Sequence, residues 1–140
     1  MDWDQYFINI CNVVKLRSKD LKKQVGSCLV SNDNRIISTG YNGLRTGSND
    51  NINWNDRKLV HSLILHAEIN VLLFCESKFK NAKLYTTLSP CRECIKIIAC
   101  SNINKIIYES KYKDYNIVKD ICDFYNIELI QFISKNDIKN

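Results

Sequence analysis

Two short stretches hold the residues best suited to chemistry. His66-Ala67-Glu68 lies within LHAEIN, residues 65–70, and Pro90-Cys91-Arg92-Glu93-Cys94 lies within SPCREC, residues 89–94. The chain has only two histidines and one proline, so their positions beside a glutamate and a Cys-x-x-Cys need a reason. One imidazole and two thiolates form a ligand set that suits zinc. Three protein ligands leave a fourth position for water, whose pKa zinc lowers toward neutrality. Glu68 is a poor fourth ligand once His66 binds, but it is placed to carry protons beside the metal. Both motifs precede helical patterns, and helix N-termini favour the thiolate form through their unpaired N–H groups. Pro90 suits such a start, because it fixes the backbone and needs no N–H partner there. The combination describes a metal-assisted hydrolysis site.

Each piece alone has a plainer reading. A lone histidine is usually satisfied by a neighbour, and Glu68 would be an ordinary first-turn glutamate. Cys91 and Cys94 could be a redox pair or half of a four-cysteine zinc site. There is no second Cys-x-x-Cys, however, and Cys11, Cys28, Cys75, Cys100 and Cys122 fall in apolar patterns that read as core. A structural zinc module would leave Glu68 idle and would need a fourth ligand. His61 is the only remaining histidine, and a five-residue offset from His66 does not share a helical face.

The elements that must position these groups follow from periodicity. WDQYFINICNVVKLRSK carries Trp3, Phe7, Ile10 and Val14 at helical spacing. VGSCLVS and RIISTG are short β-rich runs around a turn-forming NDN, which predicts a hairpin. YNGLRTGSNDNINWND is a long polar loop, of a length usually reserved for binding or mobility. Beyond it, HSLILHAEINVLLFCES reads as helix, KLYTTLS as strand, CRECIKIIACS as helix, KIIYES as strand, DYNIVKDICDFYN as helix and IELIQFI as strand. Such alternation predicts βαβ units and a largely parallel sheet covered on both faces. In such sheets the strand ends that feed helix starts line the ligand crevice.

Bulk properties bound the rest. At 140 residues, 45% apolar and 25% charged, the chain reads as one domain, 1–140, with one core. The net charge of +5 comes from scattered lysines, compatible with an anionic small ligand but not with a nucleic-acid polymer. No apolar run is long enough to span a bilayer, and MDWDQYF lacks the pattern of a signal peptide. The expected address is intracellular and cytoplasmic, where seven cysteines, an odd number, would be reduced thiols or metal ligands.

His66-Ala67-Glu68 followed by Pro90-Cys91-Arg92-Glu93-Cys94 resembles the zinc-dependent cytidine deaminase superfamily, in which the glutamate is general acid/base and not a ligand. The order and spacing of VGSCLV, RIISTGYNG, HAEIN, LYTTLSPCREC and KIIY are similar to those of the deoxycytidylate (dCMP) deaminases, over almost the entire chain. Gly40-Tyr41-Asn42-Gly43 is the most telling piece outside the zinc motifs. The resemblance implies a three-layer α/β/α fold with a five-stranded mixed sheet. It implies one catalytic zinc on His66, Cys91 and Cys94, proton transfer by Glu68, and hydrolytic deamination of dCMP to dUMP. It implies substrate contacts by Asn42 on the sugar, by Ala67, Ser89 and Pro90 around the ring, and by Arg17, Tyr112 and Lys113 at the phosphate. An allosteric site for dCTP with Mg2+ around Gly40, Tyr41, Asn42 and Gly43, inhibition by dTTP, and a homo-oligomer, usually a hexamer, belong to the same family picture.

The loop after Gly43 lacks the His-Cys pair that in some members binds a second zinc, so one zinc per chain is expected. Lys113 stands where many members have arginine, which keeps the charge without the bidentate geometry. These departures leave room for an enzyme that also takes dCTP. Deamination of tRNA adenosine or of a free nucleoside are the other readings, since the zinc centre itself does not choose among them.

Overall fold

The computed structural model describes residues 1–134. Helix α1, Trp3–Val14, opens on an Asp2 cap whose side chain accepts from the Gln5 N–H, and a 3-10 turn, Lys15–Arg17, closes it. Strands β1, Gly26–Val30, and β2, Ile36–Tyr41, form the hairpin. Its turn is permitted by Asn34 at φ 63°, a left-handed conformation that asparagine tolerates. Two short helices follow, α2, Arg57–Leu63, and α3, Ala67–Leu73. Then come β3, Ala82–Leu88, α4, Arg92–Ala99, β4, Ile103–Ser110, α5, Tyr115–Phe124, and β5, Glu128–Gln131.

The sheet order is β2-β1-β3-β4-β5. Strand β1 is antiparallel to both β2 and β3, whereas β3–β4 and β4–β5 are parallel. The five-stranded mixed sheet implied by resemblance is therefore present. The largely parallel sheet read from alternation is corrected: the β1–β2 hairpin adds two antiparallel pairings.

Side-chain alternation along the strands divides the core. Leu84 and Ile106 face one side, packed with Val71 of α3, Cys94, Ile95 and Ile98 of α4, and Val118 and Cys122 of α5. Their neighbours Tyr85 and Ile107 face the other, packed with Phe7, Ile8 and Cys11 of α1 and Cys28 of β1. Full burial of each such Ile, Leu or Phe contributes about 1.5–3 kcal/mol, so both layers are held largely by apolar contact.

Two other expectations change. The helix read across residues 61–77 is two helices, because Ile64–His66 is extended and Leu65 forms a two-way backbone bridge with Gly43. Among the cysteines read as core, Cys11, Cys28 and Cys122 are buried, but Cys75 is only half-buried and Cys100 is exposed. Cys100 is the C-cap of α4, at the position where that helix leaves the sheet. The polar segment 42–56 forms no strand or helix among the described residues. Lys19–Asp50 ties it to the stretch after α1, and within it the Trp54 indole N–H donates to Asp50 O at 3.1 Å.

Candidate active site

Three features place α3. Gly40 lets the helix lie directly on β2: a Cβ there would stand 2.6 Å from Val71 N and 2.7 Å from Ala67 O. Ser38 Oγ donates to Val71 O at 2.8 Å, and Asn70 Nδ2 donates to Tyr41 O at 2.8 Å. The Gly43–Leu65 bridge fixes the chain immediately before His66. His66 is then the helix N-cap in an extended conformation, and its imidazole makes no capping bond. It is free to face the second motif.

Cys91 is the N-cap of α4, with Sγ accepting from Cys94 N–H at 3.3 Å. Pro90 thus sits one residue before the cap rather than in the first turn, and it is buried. Its role is to hold Ser89 extended at the end of β3. Ser89 Oγ in turn accepts from Tyr112 N–H at 2.7 Å, joining the α4 start to the segment after β4.

His66 Nδ1 lies 3.1 Å from Cys94 Sγ and 3.5 Å from Cys91 Sγ, and the three donor atoms all fall within 4.8 Å of one another. Tetrahedral bonds of about 2.0–2.3 Å to zinc place neighbouring donors roughly 3.5–3.8 Å apart. The three donors fit zinc with small adjustments. The thiols are already unequal: hydrogen bonds from Cys94 and His66 pull the Cys91 thiol down to about 4. The Cys91 sulfur and burial push the Cys94 thiol up. His66 is raised through its bond to Cys91. A thiolate beside a raised imidazole is a site that would exchange protons for a cation.

Glu68 is 3% exposed; Thr86 Oγ1 lies 3.2 Å from its Oε1 and 2.9 Å from Leu88 O, so its single proton is shared between them, with Ser27 Oγ donating to Thr86 at 3.0 Å. Burial raises its carboxyl above the ordinary range. A buried carboxyl next to a ligand cluster can hold a proton and release it, which is general acid/base chemistry. Thr86 and Ser27 escaped sequence reading, since threonine and serine in strands carry no distinguishing signal.

These groups open on a cavity of about 250 Å³. Asn42, Ala67, Ser89, Tyr112 and Lys113 line it, as does Glu68. The structure brings neither Arg17 nor Pro90 there: Arg17 is exposed and away from the lining, and Pro90 is buried outside it. Instead the basic side chains lining the cavity are Lys23, Arg57, His61 and Lys113. Lys23 Nζ stands 4.1 Å over the Tyr112 ring, and Lys113 Nζ is 5.7 Å from the same ring. Arg57 makes a two-pronged contact with buried Asp20, both distances 2.8 Å, and holds that carboxyl below its usual range. Asp20 therefore does not cancel the lysines. A scatter of lysines in sequence converges here on one rim.

Residues 1–110 match the cytidine and deoxycytidylate deaminase zinc-binding region. The chain is similar to the deoxycytidylate deaminase of Pongo abelii, 35% identical over 146 residues that cover 96% of this chain and 82% of the relative. It is similar to the deoxycytidylate deaminase of Mycobacterium phage D29 at 33% identity, covering 76% of this chain and 94% of that one. In fold it is similar to the dCMP deaminase of cyanophage S-TIM5 in complex with dCMP and dUMP. The TM-score is 0.73 at 22% identity, over 91% of this chain and 95% of that one.

Proposed function

Because this chain belongs to the cytidine and deoxycytidylate deaminase family, we propose that it hydrolyses dCMP to dUMP and ammonia with one zinc per chain. The observation that carries this reading is the convergence of three zinc-fitting donors and a buried glutamate in a cavity rimmed by lysines. The match to deoxycytidylate deaminases over most of both chains supports the substrate. The reading treats residues 1–140 as one deaminase domain.

His66 Nδ1 and the sulfurs of Cys91 and Cys94 would hold the zinc. Bound there, zinc supplies a Lewis acid that makes water a nucleophile near neutral pH. Glu68 accepts a proton from the attacking water as oxygen bonds to C4 of the cytosine ring, and returns it to N3. The C4–N bond then breaks, and the amino group leaves as ammonia after taking a second proton through the same carboxyl. The products, dUMP and NH3, balance dCMP and H2O. Thr86 Oγ1, 3.2 Å from Glu68 Oε1, is the polar side chain beside that carboxyl. Ala67 and Ser89 border the ring's place, and Tyr112 with Lys113 and Lys23 faces the phosphate. Net positive charge at the rim raises the local concentration of an anionic substrate.

The family picture extends this reading to dCTP with Mg2+ as activator, dTTP as inhibitor, and a hexameric homo-oligomer. Within Gly40-Tyr41-Asn42-Gly43, Gly40 and Asn42 are buried and the Tyr41 side chain is 37% exposed. Tyr41 is thus the residue of the four that an effector would meet. The direct test of the reaction is ammonia release and dUMP formation from dCMP by the zinc-loaded protein, with dCTP and dTTP added in turn. One ammonia per dUMP is expected; no deamination of dCMP under any of these conditions would overturn the proposal.

A further inference from the structure

The resemblance gives Asn42 to the sugar, but its hydrogen bonds point elsewhere. Its Oδ1 accepts from Val25 N–H at 2.8 Å, and its Nδ2 donates to Lys23 O at 2.6 Å. Its own N–H donates to Val25 O at 3.3 Å, and its carbonyl accepts from Ser18 Oγ at 2.8 Å. Every polar group of this 5%-exposed residue is engaged with residues 18–25. Residues 21–25 form neither helix nor strand, so they depend on such bonds for a fixed course. That segment delivers Lys23 to the cavity, over the Tyr112 ring.

We propose that Asn42 is a positioning residue for the phosphate end of the substrate, acting by fixing the Lys23–Val25 backbone and so the place of Lys23. This rests on the reading of dCMP as substrate. Asn42 is itself anchored between β2 and Gly43, whose bridge to Leu65 sets His66. Residues 40–43 therefore set both ends of the cavity from one rigid point: the ligand helix through Gly40 and Gly43, and the phosphate-facing lysine through Asn42. A side-chain amide suits this task, because it offers a donor and an acceptor on one planar group.

The test compares kcat and KM for dCMP and deoxycytidine in zinc-loaded wild type, Asn42→Ala, Lys23→Ala and the double variant. A residue that touches only the sugar affects both substrates equally, since both carry it. The expected result is a fall of roughly tenfold or more in the preference of Asn42→Ala for dCMP, the worth of one charged hydrogen bond, expressed mainly in KM. The double variant should show no greater loss of preference than Lys23→Ala. Equal loss on both substrates, or additive losses in the double variant, would overturn the proposal. Should Asn42→Ala not fold, Asn42→Asp is measured in its place, because it keeps an acceptor for Val25 N–H and loses the donor to Lys23 O. Amide exchange without substrate gives an independent readout. Residues 22–26 should exchange faster in the variant while β3 and α4 are unchanged, and unchanged protection there would also overturn the proposal. A wild type with no preference for dCMP would sink the substrate reading instead, and the exchange measurement would still decide whether Asn42 holds the segment.

Discussion

His66, Cys91 and Cys94 come together because His66 caps α3 without a side-chain capping bond, while Cys91 caps α4 and accepts from the N–H of Cys94 in its first turn. Cys94→Ala should therefore lose most bound zinc by elemental analysis, and wild-type metal content would refute the ligand set. Glu68 lines the same cavity, and the proposed function gives it proton transfer rather than metal binding. Glu68→Gln should keep stoichiometric zinc while kcat falls by about 10²–10⁴-fold, the usual worth of a positioned general acid/base. Full turnover in that variant would remove the proton-transfer assignment. These four residues were legible from type and spacing alone, because imidazole, two thiols and a carboxyl seldom meet in such a pattern by accident. Thr86 was not legible, since nothing about a strand threonine announces that it faces a buried carboxylate.

Helix α3 is placed by β2, and the glycine that matters is one that never meets substrate. Gly40 has no left-handed torsion; it is required by the close approach of Val71 N and Ala67 O, backbone atoms that cannot swing aside. Gly40→Ala should push α3 outward, costing about 1–3 kcal/mol of stability and weakening zinc binding together. A variant with native Tm and native zinc affinity would contradict this packing account. The extended break at Ile64–His66 could not be seen in the sequence, because Leu63, Ile64 and Leu65 continue the apolar run and no Gly or Pro interrupts it. The break is a tertiary effect of the Gly43 bridge. On the neighbouring side, Arg57 of α2 keeps Asp20 ionised. A carboxyl whose folded pKa is lowered adds stability above its unfolded pKa, and that stability is lost as pH falls through the folded value. Arg57→Gln should thus lower Tm by several degrees near neutrality, with the gap to wild type closing below about pH 4. A gap that stays constant down to pH 2 would exclude the ion pair as its cause.

At the scale of the whole molecule, the alternation of strands and helices beyond residue 80 was readable from period alone, as was the hairpin before it. The mixed sheet was foreseen only through resemblance, since periodicity does not report strand direction. The cavity rim was the least legible part. Lys23 lies in the segment before β1, whereas Arg57 and His61 share α2, and each looks by itself like an ordinary solvated side chain. Arg17, expected at the phosphate, is instead an exposed side chain at the end of the 3-10 turn. Among the described residues, no helix is long and apolar enough to cross a membrane. What joins these features is a claim about substrate: a cavity with a hydrolytic zinc centre at its base and lysines at its rim should require the phosphate. The most direct measurement is the ratio of kcat/KM for dCMP to that for deoxycytidine in the zinc-loaded wild type. Two charged hydrogen bonds to the phosphate predict a preference of roughly 100-fold or more for dCMP, whereas equal efficiency on the two would contradict the account.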